Sequence, residues 1–259
     1  MTESDSAVSR GVDILIFSGV CPAAVAAAWV AVCAQALYAE KAPVPWSAVA
    51  LAAAGTFLVY TIDRLRDLAH DRLSSPARTA FIERNRTVLI GFCLFAAGVS
   101  AIAAYRQPPL AWLLLGIAFG LGIFHRRLKG HPTYGILYVA AAWVIVVVGL
   151  PAMHAPPGSI SAWPILGLAG TLGFVIAANL VGSELREARE GAPALKRLGT
   201  ARRLALGGLL MSLFVPIELL PSAAANLVAL LFFRSSERYG LGVLDGALLA
   251  GALLGLALG

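Results

Sequence analysis

Charge is what this sequence has least of. Asp, Glu, Lys and Arg make up 13% of its 259 residues, where a soluble domain carries about 25%. Hydrophobic residues fill 59%, and the mean hydropathy is +0.81. These figures exclude an ordinary soluble globular domain, and they exclude disorder, which needs low hydrophobicity. Cysteine is also scarce: Cys21, Cys33 and Cys93 each lie in an apolar run, the pattern of buried free thiols rather than of a metal site or a disulfide framework. The four histidines show no metal-pair spacing, and there is no P-loop, G-x-G-x-x-G, H-E-x-x-H or G-x-S-x-G, so nucleotide binding and the common hydrolase chemistries have no local signature. The opening MTESDSAVSR holds two acids and one base. The apolar run after it is longer than a signal-peptide core, so it reads as a retained span.

What the chain does have is apolar length. A spanning helix needs about 20 mostly apolar residues, and nine stretches approach that: 13–38, 44–62, 87–105, 108–125, 134–153, 161–182, 202–220, 222–233 and 240–258. The eighth is too short alone and is expected to be tilted, broken or extended through Pro221. The runs are continuous rather than alternating, which argues for helices and against a barrel. Pro164 and Pro216 fall inside two of them as possible kinks. The 26 glycines suit helices that approach closely in a bilayer. The expectation is an all-α, polytopic membrane bundle of about nine helices, forming one domain over 1–259.

The net charge of +6 is not spread evenly. Arg10 and the linkers after the second, fourth, sixth and eighth stretches hold 18 of the 20 basic residues, leaving only Lys41 and Arg106 on the other side. The positive-inside rule then puts the N-terminus and those linkers in the cytoplasm, as in a bacterial-type inner membrane. The basic surplus is thereby explained by topology, without nucleic acid as a partner.

Two of these linkers, about 63–86 and 183–201, are long and open with acids directly after a span. Acids at that position are a functional hypothesis by default, because charge is expensive at membrane depth. In VYTIDRLRDLAHDR, Asp63, Asp67 and Asp71 recur every four residues, which on one helix aligns three carboxylates on a face. Their mutual repulsion is relieved by a divalent cation, and Mg²⁺ takes one or two carboxylates while water and substrate phosphates fill its shell. The plainer alternative is a solvated span end paired with Arg64 and Arg66. In NLVGSELREAREG, Glu184, Glu187 and Glu190 recur every three residues, interleaved with Arg186 and Arg189; surface ion pairs are the alternative there. A third patch, FHRRLKGHPTYG, offers Arg126, Arg127 and Lys129 as clamps for phosphate oxygens, or simply as a positive-inside anchor.

Acidic clusters after the second and sixth of nine spans resemble the UbiA superfamily of intramembrane prenyltransferases. The stretch Val59–Asp67 is similar to that family's N-D-x-x-D-x-x-x-D signature at Asp63 and Asp67, with Val59 and Tyr60 in place of the leading Asn-Asp. Ser75-Pro76-Ala77-Arg78 resembles the N-R-P-like stretch that follows it. Glu184-Leu185-Arg186-Glu187 resembles the second signature with Glu for Asp, although Gly191 stands where a last acid is expected.

The resemblance implies an all-helical, Mg²⁺-dependent enzyme. It would move a prenyl group from a polyprenyl diphosphate to a hydrophobic acceptor, often an aromatic ring, with membrane lipid around it. On that reading Asp63, Asp67 and Glu187 are catalytic, and the metal is held by these with Asp71 and Glu184. Arg78, Arg126, Arg127, Lys129 and Arg186 bind diphosphate. Phe57, Tyr60, Tyr138 and Trp143 wall the prenyl or acceptor pocket by cation–π contact. Two other readings stay open: a non-catalytic relative that binds a lipid or pigment, or serves as a subunit of a membrane complex, and a transporter. Asp13, Glu218 and Asp245 are the acids at or inside other spans, and their spacing forms no relay.

Overall fold

A computed structural model describes residues 11–38, 43–128, 132–155, 161–185 and 192–259, with backbone alone at His70, 122–128, 132–134 and 192–193. All regular structure among the described residues is helical. The described residues open in a helix, α1 (11–17), which breaks at Ser18–Gly19 before α2 (Val20–Leu37). Gly19 has φ 86°, a left-handed conformation that glycine adopts without a Cβ penalty, so the first apolar stretch is two helices rather than one.

There follow α3 (Trp46–Arg66), the short α4 (Leu68–Ser74) and α5 (Pro76–Arg84), then α6 (Arg86–Tyr105), α7 (Pro109–Leu128) and α8 (Pro132–Val144). The helix α8 runs through a π segment, Ile145–Gly149, into α9 (Leu150–His154). Pro151 explains this irregularity locally: it has no N–H to offer the carbonyl one turn earlier, and a π turn is one way for a helix to absorb that loss. The chain ends with α10 (Ala162–Glu184), α11 (Ala192–Ser212), a 3₁₀ turn Ile217–Leu219 leading into α12 (Leu220–Leu231), and a π turn Tyr239–Val243 leading into α13 (Leu244–Leu258).

Six of these segments are long and apolar enough to cross a membrane: Val20–Leu37, Trp46–Arg66, Arg86–Tyr105, Gly135–His154, Ala162–Glu184 and Tyr239–Leu258. The other three expected stretches differ among themselves. α7 runs over 20 residues, and Pro109–Leu121 is its apolar part with described side chains. Ile217–Leu231 is apolar but shorter, and α11 carries Lys196, Arg197, Arg202 and Arg203. The expected seventh span, 202–220, is not one helix. Its helix stops at Ser212, and Pro216 lies in the connection rather than kinking a span. Pro164 sits in the first turn of α10, where the missing N–H would have no helical partner anyway. Pro221 occupies the first turn of α12, so the eighth stretch does extend through it.

The helices form a continuous series of neighbours. α2 packs against both α3 and α13, α3 against α6, α8 against α7 and α10, α10 against α11 and α12, and α12 against α13. α2 and α10 are the most enclosed of the six spans. Close approach depends on small residues, as is usual between helices in lipid: a Cβ on Gly255 would collide with the carbonyl oxygen of Glu218, and one on Gly251 with the backbone of Ser222.

Side-chain contacts sort the bundle into two ends. At one, Tyr38 Oη donates to the Pro151 carbonyl at 2.9 Å and His154 meets Gln107 at 2.8 Å. Arg106 lies at this end. At the other are the last turn of α3, α4, α5, and the chain between α12 and α13. There Arg202 donates to the final carbonyls of α12, Leu230 O at 3.0 Å and Leu231 O at 2.9 Å, a cation on the negative end of a helix. Arg238 pairs with Asp13 at 3.0 Å. Most described arginines therefore gather at this second, basic end.

Candidate functional site

Two narrow clefts open inside the bundle near its basic end and share Pro22, Tyr60 and Asp245. The first is also walled by Trp29, Trp143 and Asn179. The other is walled by Phe17, Arg64, Arg78 and Leu241. Each has a cavity volume of about 20 Å³, room for one water-sized group. A diphosphate or prenyl chain enters only if helices or side chains move apart.

The aromatic walls are held edge to face. Trp143 packs T-shaped on Trp29 with centroids 5.9 Å apart and on Tyr60 at 6.2 Å. Trp29 is fixed in turn by its indole N–H, which donates to Ser222 Oγ at 3.2 Å. The guanidinium of Arg64 lies 6.0 Å from the Tyr60 ring centre, within cation–π range.

Below that, the acids separate. α3 ends at Arg66, and Asp67 is its C-cap with φ −96° and ψ 10°. Asp63 lies in the last turn of α3, while Asp71 belongs to α4. The expected single face of three carboxylates is thus interrupted at Asp67. Asp71 is 7% exposed and Arg78 1%; Arg78 Nη2 donates to Asp71 Oδ2 at 2.7 Å, and Arg64 Nη1 lies 4.0 Å from the same oxygen. Asp71, expected on a metal, holds two arginines. The backbone of Arg78 is anchored too: Glu237 accepts its N–H at 2.9 Å and that of Ala77 at 3.3 Å, which places an anion at the start of α5.

Of the remaining expected residues, Glu184 is exposed and 3.7 Å from Arg197. Arg186, Glu187 and Lys129 lie outside the described residues, as do the side chains of Arg126 and Arg127. Phe57 sits one turn before Tyr60, with its ring close to Gly19. Tyr138 is half-buried on α8 and does not line either cleft. Among the described residues no three His, Cys, Asp or Glu side chains converge as metal ligands.

Sequence reasoning passed over Asn179 and gave Asp245 no role. The structure puts them together: Asn179 Nδ2 donates to Asp245 Oδ1 at 2.9 Å. The available signal was an acid in the first turn of an apolar span, and it was discounted because no partner acid shares its spacing. The partner is an amide on a distant helix. Glu218, another acid in an apolar stretch, is at the opposite end, beside Gly255 and Gly259.

No family model, curated protein or solved structure matches this chain.

Proposed function

We propose that this protein is an intramembrane prenyltransferase of the UbiA type. It binds a polyprenyl diphosphate at its basic end, which faces the cytoplasm of a bacterial-type inner membrane, and passes the prenyl group to an aromatic or lipidic acceptor. The observation that carries this reading is an adjacency. Arg64 and Arg78 line the same cleft as Tyr60, and Tyr60 is also a wall of the cleft enclosed by Trp29 and Trp143. Anion-binding and cation-tolerant surfaces thus meet where an allylic diphosphate would ionise.

The residues fit Mg²⁺ as a shared rather than a caged ion. Asp63 and Asp67 stand one turn apart at the end of α3, and two carboxylates suffice when phosphates and water complete the shell. Asp71 does not join them, and Glu187 from the second cluster is the further ligand in this reading. Bound Mg²⁺ would supply charge neutralisation for the diphosphate and its leaving group. Arg64 and Arg78 place fixed positive charge beside that group, with Arg126, Arg127, Lys129 and Arg186 as additional diphosphate contacts. The rings of Tyr60, Trp29 and Trp143 shelter developing positive charge and exclude water.

The test is transfer and binding of a polyprenyl diphosphate by the purified protein, with and without Mg²⁺. Asp67→Ala should lose Mg²⁺-dependent transfer by roughly 100-fold, the scale of removing one group that stabilises developing charge, and should remain folded. Full turnover in that variant would sink the metal assignment. A second reading, a non-catalytic lipid- or pigment-binding subunit of a membrane complex, draws on the commitment of Asp71 to Arg78. Binding indifferent to both Mg²⁺ and Asp67 would favour it.

A further inference from the structure

Asn179 is 91% buried and lines the cleft walled by Trp29 and Trp143. Its orientation is set by chemistry: the Asp245 carboxylate accepts from the amide Nδ2, so the amide oxygen must be the other atom. That oxygen, Oδ1, is buried and has no hydrogen-bond partner among the described residues. A buried acceptor left unsatisfied forfeits the hydrogen bonds it makes in water, and here it stands beside a carboxylate. The other walls are the rings of Trp29, Tyr60 and Trp143 with the apolar side chains of Val25 and Leu248. The cleft therefore offers an amide oxygen, a carboxylate with its negative charge and π-electron surfaces. The donors within these walls are the Asn179 amide, engaged with Asp245, and the indole and phenol of the rings, of which the Trp29 indole is committed to Ser222.

Local geometry marks the same place. The three helices that supply Pro22, Trp143 and Asp245 each leave α geometry within a few residues of that side chain. These departures are the left-handed Gly19, the π segment Ile145–Gly149 and the π turn Tyr239–Val243. Such single π turns occur frequently at functional sites.

We propose that the cleft bounded by Asp245, Asn179, Trp29, Tyr60 and Trp143 is a binding site for a primary ammonium group. The ammonium donates to the Asp245 carboxylate and to Asn179 Oδ1 and lies against the aromatic rings, which attract cations. A cavity of about 20 Å³ selects size: ammonium or the head of a primary alkylammonium fits, and a quaternary ammonium does not. A hydrated divalent cation is disfavoured, since one carboxylate and one amide oxygen fall well short of its shell. The ligand is either a free small amine or the ethanolamine head of a membrane lipid, and both carry the same –NH₃⁺.

The test is calorimetric titration of methylammonium into the full-length protein in nanodiscs of phosphatidylglycerol. Wild type should bind saturably, ammonium should compete, and tetramethylammonium should not. Asp245→Asn should weaken binding at least tenfold, and Asn179→Leu, which removes the orphan oxygen without adding charge, should also weaken it. Thermal unfolding of each variant shows that it is folded, and Asp67→Ala, outside this cleft, should bind methylammonium as wild type does. Repeating the titration with phosphatidylethanolamine in the disc separates the sources: loss of methylammonium binding assigns the site to the lipid head, and unchanged binding assigns it to a free amine. No saturable binding to folded wild type in phosphatidylglycerol, equal binding of tetramethylammonium, or full affinity in a folded Asp245→Asn protein would overturn the proposal. These results are independent of whether the protein transfers prenyl groups.

Discussion

Arg78 is among the largest fully buried side chains in the protein, and it is charged. Its burial is tolerated because Asp71 lies 2.7 Å from Nη2 and because Glu237 fixes the backbone around it. Removing one member of such a pair leaves an uncompensated charge where water does not reach, which costs about 3–5 kcal/mol. Asp71→Ala is therefore expected to destabilise the protein by about 3 kcal/mol, read as a fall in the unfolding midpoint in detergent. The double variant Asp71→Leu with Arg78→Met should recover most of that loss, since it removes both charges and keeps the volume. Equal destabilisation in single and double variants would mean that the pair does not act as a unit. At this scale the sequence was half legible. The four-residue spacing of Asp63, Asp67 and Asp71 correctly marks a helical run of acids. It does not reveal that the helix ends between the first and the last of them, because Asp67 as a C-cap looks no different from Asp67 inside a helix. The contact between Asp71 and Arg78 depends on that bend.

Elements were legible where length and apolarity agree. The six helices long and apolar enough to cross a membrane each coincide with most of an expected stretch, since twenty uninterrupted apolar residues leave a chain in lipid little but helix to form. The irregular points were not legible: the break at Gly19, the π segments before Pro151 and Asp245, and the early end of α11. These follow from contacts between helices and from one or two residues, which a pattern averaged over a span does not register. Glycines show the same limit. Gly98 and Gly251 look alike in sequence, but a Cβ on Gly98 meets nothing within 4 Å, whereas one on Gly251 would also lie 2.7 Å from the Pro221 carbonyl oxygen. Gly251→Ala must therefore push α12 and α13 apart, at a cost of about 1–3 kcal/mol. Gly98→Ala should be neutral or stabilising by up to about 1 kcal/mol, from helix propensity alone. Unfolding midpoints of the two variants in the same detergent decide the matter, and a neutral Gly251→Ala would mean that the two helices are not packed this tightly.

The whole molecule is polarised. Side-chain and backbone contacts place Arg64, Arg78, Arg202 and Arg238 at one end, and Arg106 at the other. Nothing in helix packing alone demands this segregation. A membrane does, because basic loops are retained on the cytoplasmic side. On the proposed function, the arrangement puts both clefts near the end where Mg²⁺ would be met from the water, and the donor's hydrocarbon would enter from the side. Orientation can be read directly with a membrane-impermeant maleimide, in a chain whose three cysteines are replaced. Leu73, 94% exposed on α4, and Arg106 serve as reporters for the two ends. Arg106→Cys should label in intact cells, and Leu73→Cys only after the membrane is permeabilised. Labelling of Leu73→Cys from outside would invert the topology and move the proposed diphosphate site to the wrong side of the membrane for a cytoplasmic donor head. Labelling of both reporters in intact cells would mean that the two ends of the bundle are not separated by a membrane at all.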